Sequence, residues 1–288
     1  MKAIFKREVN SYFESMTGYV FIAFLVAAVG IYFYMINLRD GYPYFSITLN
    51  NILFIYMVAI PVLTMRSMAE EKRSKTDQLL LTSPVSPTGI VLGKYFAMLY
   101  VLIIPTIIFC ICPVLISLTG NAYFAADYVA ILTFFLLGAL YIAIGMFISS
   151  LCDNQMVAFV CTFLVLLVFY LWDTVIGIIP ASSAASLIGL IILFAVGAFI
   201  IYHFTKSLYI SGGIFFAACA ICAVVYALTP GSFENLLVKV LGSFSLVSVM
   251  NNVAVYNVLD IKGIVLYLSL TALMLYYSVE TLKKRRQG

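Results

Sequence analysis

Charged residues are scarce in this sequence. Only 10% of the 288 residues are Asp, Glu, Lys or Arg, whereas 64% are hydrophobic. A soluble domain carries about 25% charged residues, because its surface faces water. The shortage of charge therefore argues against a soluble globular protein and predicts that most of the surface faces lipid.

Histidine is nearly absent as well, since His203 is the only one. A single imidazole removes most Ser-His and Cys-His catalytic schemes. Five of the six cysteines lie inside apolar runs, where cysteine behaves as a small hydrophobic residue. Cys219 and Cys222 have CxxC spacing, but a structural metal site takes about four ligands and no second cluster is near. We therefore predict neither a metal site nor a cofactor site in this chain.

Ionisable residues are also rare within the apolar runs. Asp173, beside Trp172, is a candidate residue of a transport pathway, although an acid near the end of a run also suits the membrane interface. Intramembrane enzymes and ion-coupled transporters require several ionisable groups within reach of each other. Because no such cluster occurs away from the ends of the runs, we favour neither class.

The apolar runs predict the fold class. A transmembrane helix takes about 20 mostly apolar residues, and eight runs approach or exceed that length. They are residues 18–36, 47–65, 89–118, 128–151, 156–179, 187–203, 210–228 and 263–282. We predict an all-α polytopic membrane protein with about eight transmembrane helices, forming a single domain over residues 1–288.

The basic residues predict the orientation, because Lys and Arg accumulate in cytoplasmic loops. With the N terminus in the cytoplasm, 13 of the 16 Lys and Arg residues lie inside, and only Arg39, Lys239 and Lys262 lie outside. An even number of spans also returns the basic segment 283–286 to the cytoplasm. We therefore expect a protein of the cytoplasmic (plasma) membrane with both termini cytoplasmic. Basic clusters that flank apolar runs do not indicate nucleic-acid binding.

Two segments outside the runs are themselves amphipathic. In residues 1–16, apolar side chains such as Ile4 and Tyr12 recur at helical spacing among charged ones. This pattern predicts an interfacial helix, with a loose charged tail as the alternative. Residues 229–262 are too polar to span but carry leucines at helical spacing. They predict one or two interfacial or re-entrant helices on the outer side.

Segment 66–94 is the only long cytoplasmic loop, and it holds eight of the 28 charged residues. Ser74 and Asp77 have the spacing of a capping box that begins a helix, and Pro84 would end that helix. The short helix carries three consecutive leucines, residues 79–81, whose apolar patch needs a partner. Its acidic neighbours would be repelled by anionic lipid, so a protein partner is the better interpretation.

Two further short motifs are informative: one at the end of this loop and one between the fourth and fifth apolar runs. Ser86 followed by Pro87 predicts the start of the third long helix, because Ser caps helices and Pro suits the first position. A polar hinge joins the fourth and fifth runs. Its residues Asp153, Asn154 and Gln155 form either a second cytoplasmic contact or a solvated turn.

These segments resemble a known family. The run EEKRSKTDQLLLTSPVSPTGIVLGKY is similar to the coupling-helix segment of ABC (ATP-binding cassette) export permeases of the second class. The N-terminal FKREVNSYFESMTGYVF, the run SSLCDNQMVAF and the ending DIKGIVLYLSLTALMLYYSVETLKKRR resemble the gliding-motility and multidrug-export-like branch. Family members usually have six spans, so residues 187–228 would add two to that core.

The resemblance implies a permease subunit of an ABC exporter. It would pair with a second permease copy or paralogue, contact membrane lipids, and bind two cytoplasmic ATPase subunits that hold ATP and Mg²⁺. The implied interface with the ATPase is formed by Glu70, Glu71, Lys75, Thr76, Asp77, Leu79, Leu80, Leu81, Ser83 and Pro84. A non-transporting sensor or scaffold subunit of an ABC complex is the alternative.

ATP binding by this chain itself is not predicted. Gly89 and Gly93-Lys94 superficially resemble a P-loop, but only three residues separate the glycines and Tyr95 follows the lysine. A P-loop has four residues between the glycines and a Ser or Thr that holds Mg²⁺. We therefore expect no ATPase activity from this chain alone.

Overall fold

The computed structural model describes residues 1–76, 85–178 and 235–287, with residues 180, 182–183, 186–192 and 195 between them. All regular structure in these residues is helical, and no strand occurs among them. The predicted all-α class is confirmed.

The described helices are named here in chain order. They are α1 (Lys2–Glu14), α2 (Thr17–Phe33) with a π-helical turn (Tyr34–Arg39), α3 (Phe45–Asn51), α4 (Leu53–Thr64), α5 (Ala69–Arg73), α6 (Pro87–Phe109), α7 (Cys112–Thr119), α8 (Phe124–Leu151), α9 (Gln155–Ile178), α10 (Leu236–Gly242), α11 (Leu246–Tyr256) and α12 (Ile261–Gln287).

Six stretches of the described chain are long and apolar enough to cross a membrane. They are Thr17–Arg39, Leu53–Arg73, Pro87–Leu118, Phe124–Leu151, Gln155–Ile178 and Ile261–Arg286, and they correspond to six of the eight predicted runs. The predicted spans 187–203 and 210–228 lie largely or wholly outside the described residues. The chain is thus a multi-pass membrane protein, and the total of eight spans stays a prediction.

The second span differs from its prediction. The run 47–65 is divided, because α3 ends at Asn51 and α4 begins at Leu53. The span then extends past residue 65 into α5, as far as Arg73. An apolar run marks where side chains avoid water, but it does not reveal a break in the backbone.

The described chain forms two compact units: Met1–Tyr170 with Leu246–Gly288, and Leu171–Ser245. In the second unit, Leu237 of α10 packs with Leu190, and the indole of Trp172 donates to the carbonyl of Leu241 at 2.9 Å. The segment 229–262 contains α10 and α11, one in each unit. Its location at the outer membrane surface stays a prediction.

Helix α8 lies at the centre of the first unit. In its most apolar stretch 78% of the residues are buried, against 22% in the first span, Thr17–Arg39, which therefore leaves most of its surface outside the described bundle. Glycines allow α4 to approach α8 closely: a Cβ atom at Gly138 would overlap the hydroxyl of Tyr56, and one at Gly145 would overlap Thr64. Small residues at such contacts are typical of membrane helix pairs.

Helix α1 is the predicted amphipathic helix, and one of its faces packs on protein. Ile4 and Tyr12 are buried, and the helix lies against α6. Its apolar face therefore contacts the bundle, and its location at the membrane interface stays a prediction.

Candidate functional site at the basic end of the bundle

The basic end of the bundle is the end of the first unit where α1, residues 64–76, the turn after α8 and the last turn of α12 come together. Helix α1 reaches it through a close contact at Gly93. A Cβ atom there would lie 3.1 Å from Cγ2 of Ile4, so a larger residue would require Ile4 to shift by a few tenths of an ångström. The hydroxyl of Tyr12 donates to the carbonyl of Leu63 at 3.3 Å and fixes the other end of α1 to α4.

Lys94 is the centre of this end. Its side chain is only 2% exposed, and its ammonium lies 2.9 Å from Oε2 of Glu71 and 3.3 Å from Oε1 of Glu8. It also donates to the carbonyl of Ser67 at 2.7 Å. One buried ammonium thus joins α1, α5, the turn before α5 and α6.

The partners of Lys94 explain why a charge is tolerated in a buried position. An unpaired buried ammonium is very costly, whereas one that is paired and fully hydrogen-bonded is not. The ammonium donates hydrogen bonds to Glu8 and to the carbonyl of Ser67, and it forms an ion pair with Glu71. This arrangement holds only if α1 and α5 stay where they are, so Lys94 couples the positions of both helices.

Arg7 is a second cation beside the carboxylates of Glu8 and Glu71. Its guanidinium lies 2.6 Å from Glu8 and 2.9 Å from Glu71. Burial alone would lower the pKa of Arg7, but the two carboxylates outweigh it and the pKa is raised. Since its side chain is 53% exposed, Arg7 adds charge balance rather than much stability.

A second ion pair fixes α5 to the residues that follow α4. Arg66 binds Glu70 through two parallel hydrogen bonds, of 2.7 Å and 2.9 Å. Such bidentate pairs fix geometry better than single contacts. Arg66 also donates to the hydroxyl of Thr17 at 3.4 Å, and so connects the start of α2 to the same segment.

The last turn of α8 and the residue after it are held to α5 as well. The hydroxyl of Ser149 accepts from the backbone N–H groups of Met68 and Ala69 at 3.2 Å and 3.1 Å, which caps the start of α5. Lys72 donates to the carbonyls of Ser150 and Cys152. A cation at the carboxyl end of a helix is favourable, so α5 and the end of α8 stabilise each other.

Asp153 connects this turn to the C-terminal helix. It is the first of the three predicted residues of the hinge, and its carboxylate lies 3.1 Å from Arg285 and 3.7 Å from Lys72. Asn154 instead caps α9 by accepting from the N–H of Met156 at 3.1 Å, and Gln155 is the first residue of α9. The turn is thus held by protein contacts on one side, and its role as an ATPase contact stays a prediction.

The predicted coupling segment is described only at its two flanks. Glu70 and Glu71 lie in α5, and Lys75 and Thr76 follow it. Ser74 follows the last residue of α5, and its hydroxyl donates back to the carbonyl of Glu70 at 2.9 Å. The predicted capping box of Ser74 and Asp77, with the short helix after it, extends into residues 77–84, which lie outside the described residues. The remaining predicted interface residues lie outside the described residues: Asp77, Leu79, Leu80, Leu81, Ser83 and Pro84.

On the C-terminal side of residues 77–84, the predicted start of the third long helix is confirmed. Ser86 caps α6 by accepting from the N–H of Gly89 at 3.2 Å, and Pro87 occupies the first turn. Arg286 of α12 donates to the carbonyl of Val85 at 3.2 Å. The flanks of the coupling segment are therefore anchored to α1, α6, α8 and α12.

A cavity of about 670 Å³ opens between α1 and these flanks. Its charged lining residues are three basic and three acidic ones: Arg7, Arg66, Lys94, Glu8, Glu70 and Glu71. Each of the three basic groups has a carboxylate partner, so the cavity is balanced in charge. In the described part of the chain, no group of three or more His, Cys, Asp or Glu residues could hold a metal ion. The charged residues that line the cavity hold α1, α5 and α6 together.

The comparison with known families agrees with this picture. The sequence model of the ABC-2 family transporter protein matches residues 4–188, which include α1, the coupling segment and the first five described spans. The chain belongs to this family. No curated protein and no solved structure matches it at a comparable level.

Two residues of this site, Lys94 and Glu8, were not predicted from the sequence. From the sequence, Lys94 belongs to a pattern that resembles a P-loop and to the segment that resembles the family, but no ion pair is predicted for it, and Glu8 has no predicted role. A signal was present, because Glu8 lies four residues after Ile4 and four before Tyr12, on the inward face of α1. An acid on the buried face of an amphipathic helix indicates a buried basic partner. Asp173, the predicted pathway residue, is half-buried in α9.

Proposed function

We propose that this chain is the permease subunit of an ABC exporter of the plasma membrane, driven by ATP that a separate subunit hydrolyses. Membership of the ABC-2 family supports a transmembrane component. The finer assignments, to the gliding-motility and multidrug-export-like branch and to outward transport, rest on the resemblance of the sequence segments. So do the two ATPase partners and the second permease.

One observation carries the coupling role: the Lys94 ion cluster joins α1, α5 and α6 directly at the flanks of the segment 77–84. An ATPase that pushes on this segment would act on α5 and α6 together, because Glu71 and Lys94 are in contact. The motion would also reach α8 through Lys72 and Ser149. A rigid connection of this kind is what a bistable transmembrane bundle needs in order to respond to a partner.

The cargo is proposed only by class. A pathway lined by Tyr, Phe, Ser, Thr and Asn rather than by charged residues suits amphipathic or lipid-like molecules better than ions. Asp173 is retained as a candidate pathway residue.

Co-purification with the partner ATPase tests the proposal. We expect the double substitution Leu79→Asp and Leu80→Asp to abolish co-purification while the permease still inserts, because two charges would replace an apolar docking patch. The matched control is Val258→Asp with Leu259→Asp, two adjacent exposed apolar residues (61% and 41%) in a loop of the same unit. Unchanged co-purification of the first variant, or an equal loss in the control, would contradict the assigned interface.

A further inference from the structure

A second buried charge lies at the other end of the first unit, which we call the opposite end. Asp127, in the first turn of α8, is completely buried. Its Oδ1 atom accepts from the backbone N–H groups of Phe45 and Ser46 at 2.8 Å and 3.3 Å. These bonds cap α3 and attach it to α8.

Three oxygen atoms, one at the start of α8 and two on α3, have no hydrogen-bond partner among the described residues. They are Oδ2 of Asp127, the hydroxyl of Ser46 and Oδ1 of Asn50, and each is buried. Ser46 is next to the carboxylate, since its own N–H binds Asp127. Asn50 follows Ser46 by one helical turn and so lies on the same face of α3. Buried polar atoms are rarely left unsatisfied, and a group of them needs an explanation.

No cationic side chain of the described residues balances the charge of Asp127. It forms no ion pair within residues 1–76, 85–178 and 235–287, and its charge is stabilised by the two backbone N–H groups and by the N-terminal turn of α8 in which it lies. The titratable neighbours are Tyr44 and Tyr123, whose rings stack at 4.6 Å. Phenols are neutral at ordinary pH, because their pKa is about 10. A buried carboxylate in a membrane bundle without a cation is costly.

We propose that Asp127, Ser46 and Asn50 bind a monovalent cation such as Na⁺. Carboxylate, hydroxyl and amide oxygens are the ligands that hard cations take. One carboxylate and two neutral oxygens would make the site neutral with a monovalent cation, whereas a divalent cation would leave a net positive charge in a region of low dielectric. The bound cation would fasten α3 to α8.

The same cation would stabilise the first loop of the opposite end. Asn37 donates to the carbonyls of Tyr42 and Tyr44 at 2.8 Å and 3.0 Å, and Thr48 of α3 donates to Asn37 at 2.6 Å. The loop, the π-helical turn and α3 are therefore one hydrogen-bonded group. Fixing α3 to α8 holds this group against the centre of the bundle, independently of any ATPase at the basic end.

Thermal unfolding of the purified chain in detergent tests the site. NaCl is compared with choline chloride at equal ionic strength, because choline is too large for the site. We expect the unfolding midpoint of the wild type to rise with Na⁺ and to saturate. Asp127→Asn, which keeps an Oδ1 atom to cap α3, is expected to lose this dependence. Asp40→Asn, at an exposed acid of the adjacent loop, is the matched control and is expected to retain it.

Ser46→Ala provides a second variant that leaves the cap of α3 untouched, in case Asp127→Asn does not fold. Loss of one neutral ligand is expected to raise the half-saturating Na⁺ concentration by about tenfold, as perturbation of metal sites typically does. Equal midpoints of the wild type in both salts would overturn the proposal, since water would then satisfy these oxygens. A second result would also overturn it: the wild type is stabilised by lower pH and not by Na⁺, and Asp127→Asn removes that stabilisation. Asp127 would then hold a proton instead of a cation.

Discussion

The carboxylate of Glu71 lies 2.9 Å from the ammonium of Lys94, although 22 residues separate the two in the chain. The ion pair therefore closes the base of the loop that carries the coupling segment. Arg286 holds Val85 inside the same loop from the C-terminal helix. A force applied to the tip of a loop closed in this way is transmitted to both of its helices instead of being absorbed by flexible flanks.

Lys94→Met is expected to destabilise the protein, because it leaves two carboxylates without their shared buried partner. Breaking a buried ion pair from one side costs about 3–5 kcal/mol, and we expect the lower end because Glu71 is 20% exposed. Limited proteolysis should also cut more readily between α1 and α2. The thermal midpoint and the rate of cleavage measure the two effects.

Two further variants separate stability from coupling. Lys6→Met, at an exposed lysine of α1, should leave both measurements unchanged. Adding Glu8→Gln and Glu71→Gln to Lys94→Met should recover much of the stability, because neutral replacements of a buried pair are often tolerated. Transport driven by the ATPase should nevertheless stay low. Full recovery of transport in this triple variant would show that the ion cluster is only structural.

The sequence predicted the elements better than the contacts between them. Apolar length identified the six described spans, and the pair Ser86-Pro87 identified the start of α6, since both are local properties of the chain. The roles of Lys94 and Asp127 depend on residues about 80 positions away, Glu8 and Phe45. Hydropathy reports whether a side chain avoids water, but not which distant group pairs with it. The break at Ile52 was missed for a related reason, because apolar residues continue through it.

The glycines of α8 provide a test of the packing. Gly138→Ala is expected to destabilise the bundle by about 1–3 kcal/mol, as overpacking of a close contact does, because its Cβ would overlap the hydroxyl of Tyr56. Gly30→Ala in α2 is the matched control. No atom lies within 4 Å of a Cβ there, and Ala is favoured over Gly in a helix by about 1 kcal/mol. Thermal midpoints that fell equally in both variants would contradict the close approach of α4 and α8.

The orientation is tested by labelling single cysteines introduced at Tyr42, Ser232 and Gln287 of a variant without native cysteines. Tyr42 is 52% exposed, and the count of Lys and Arg places its loop outside. An impermeant reagent should label the first two positions in intact cells and the third only after permeabilisation. Labelling at position 287 in intact cells would exclude an even number of spans with a cytoplasmic N terminus.

The last prediction concerns ATP. We expect the chain purified alone to hydrolyse none, and reconstituted vesicles to turn over ATP only when the partner subunit is present. Hydrolysis needs a cradle for the phosphates, Mg²⁺ and a positioned water. Lys94, the one lysine that follows a Gly-x-x-x-Gly pattern, is committed to Glu8, Glu71 and the carbonyl of Ser67. It is therefore not free to bind a phosphate.

The source of any measured turnover is identified by two substitutions. Changing the P-loop lysine of the partner should abolish ATP hydrolysis while the complex still forms. Lys94→Met in the permease should leave a basal activity of the partner, because this lysine contacts no nucleotide, but should reduce the stimulation of that activity by cargo. ATPase activity that co-elutes with the permease alone and disappears in Lys94→Met would mean that this lysine binds phosphate, and the permease assignment would then be wrong.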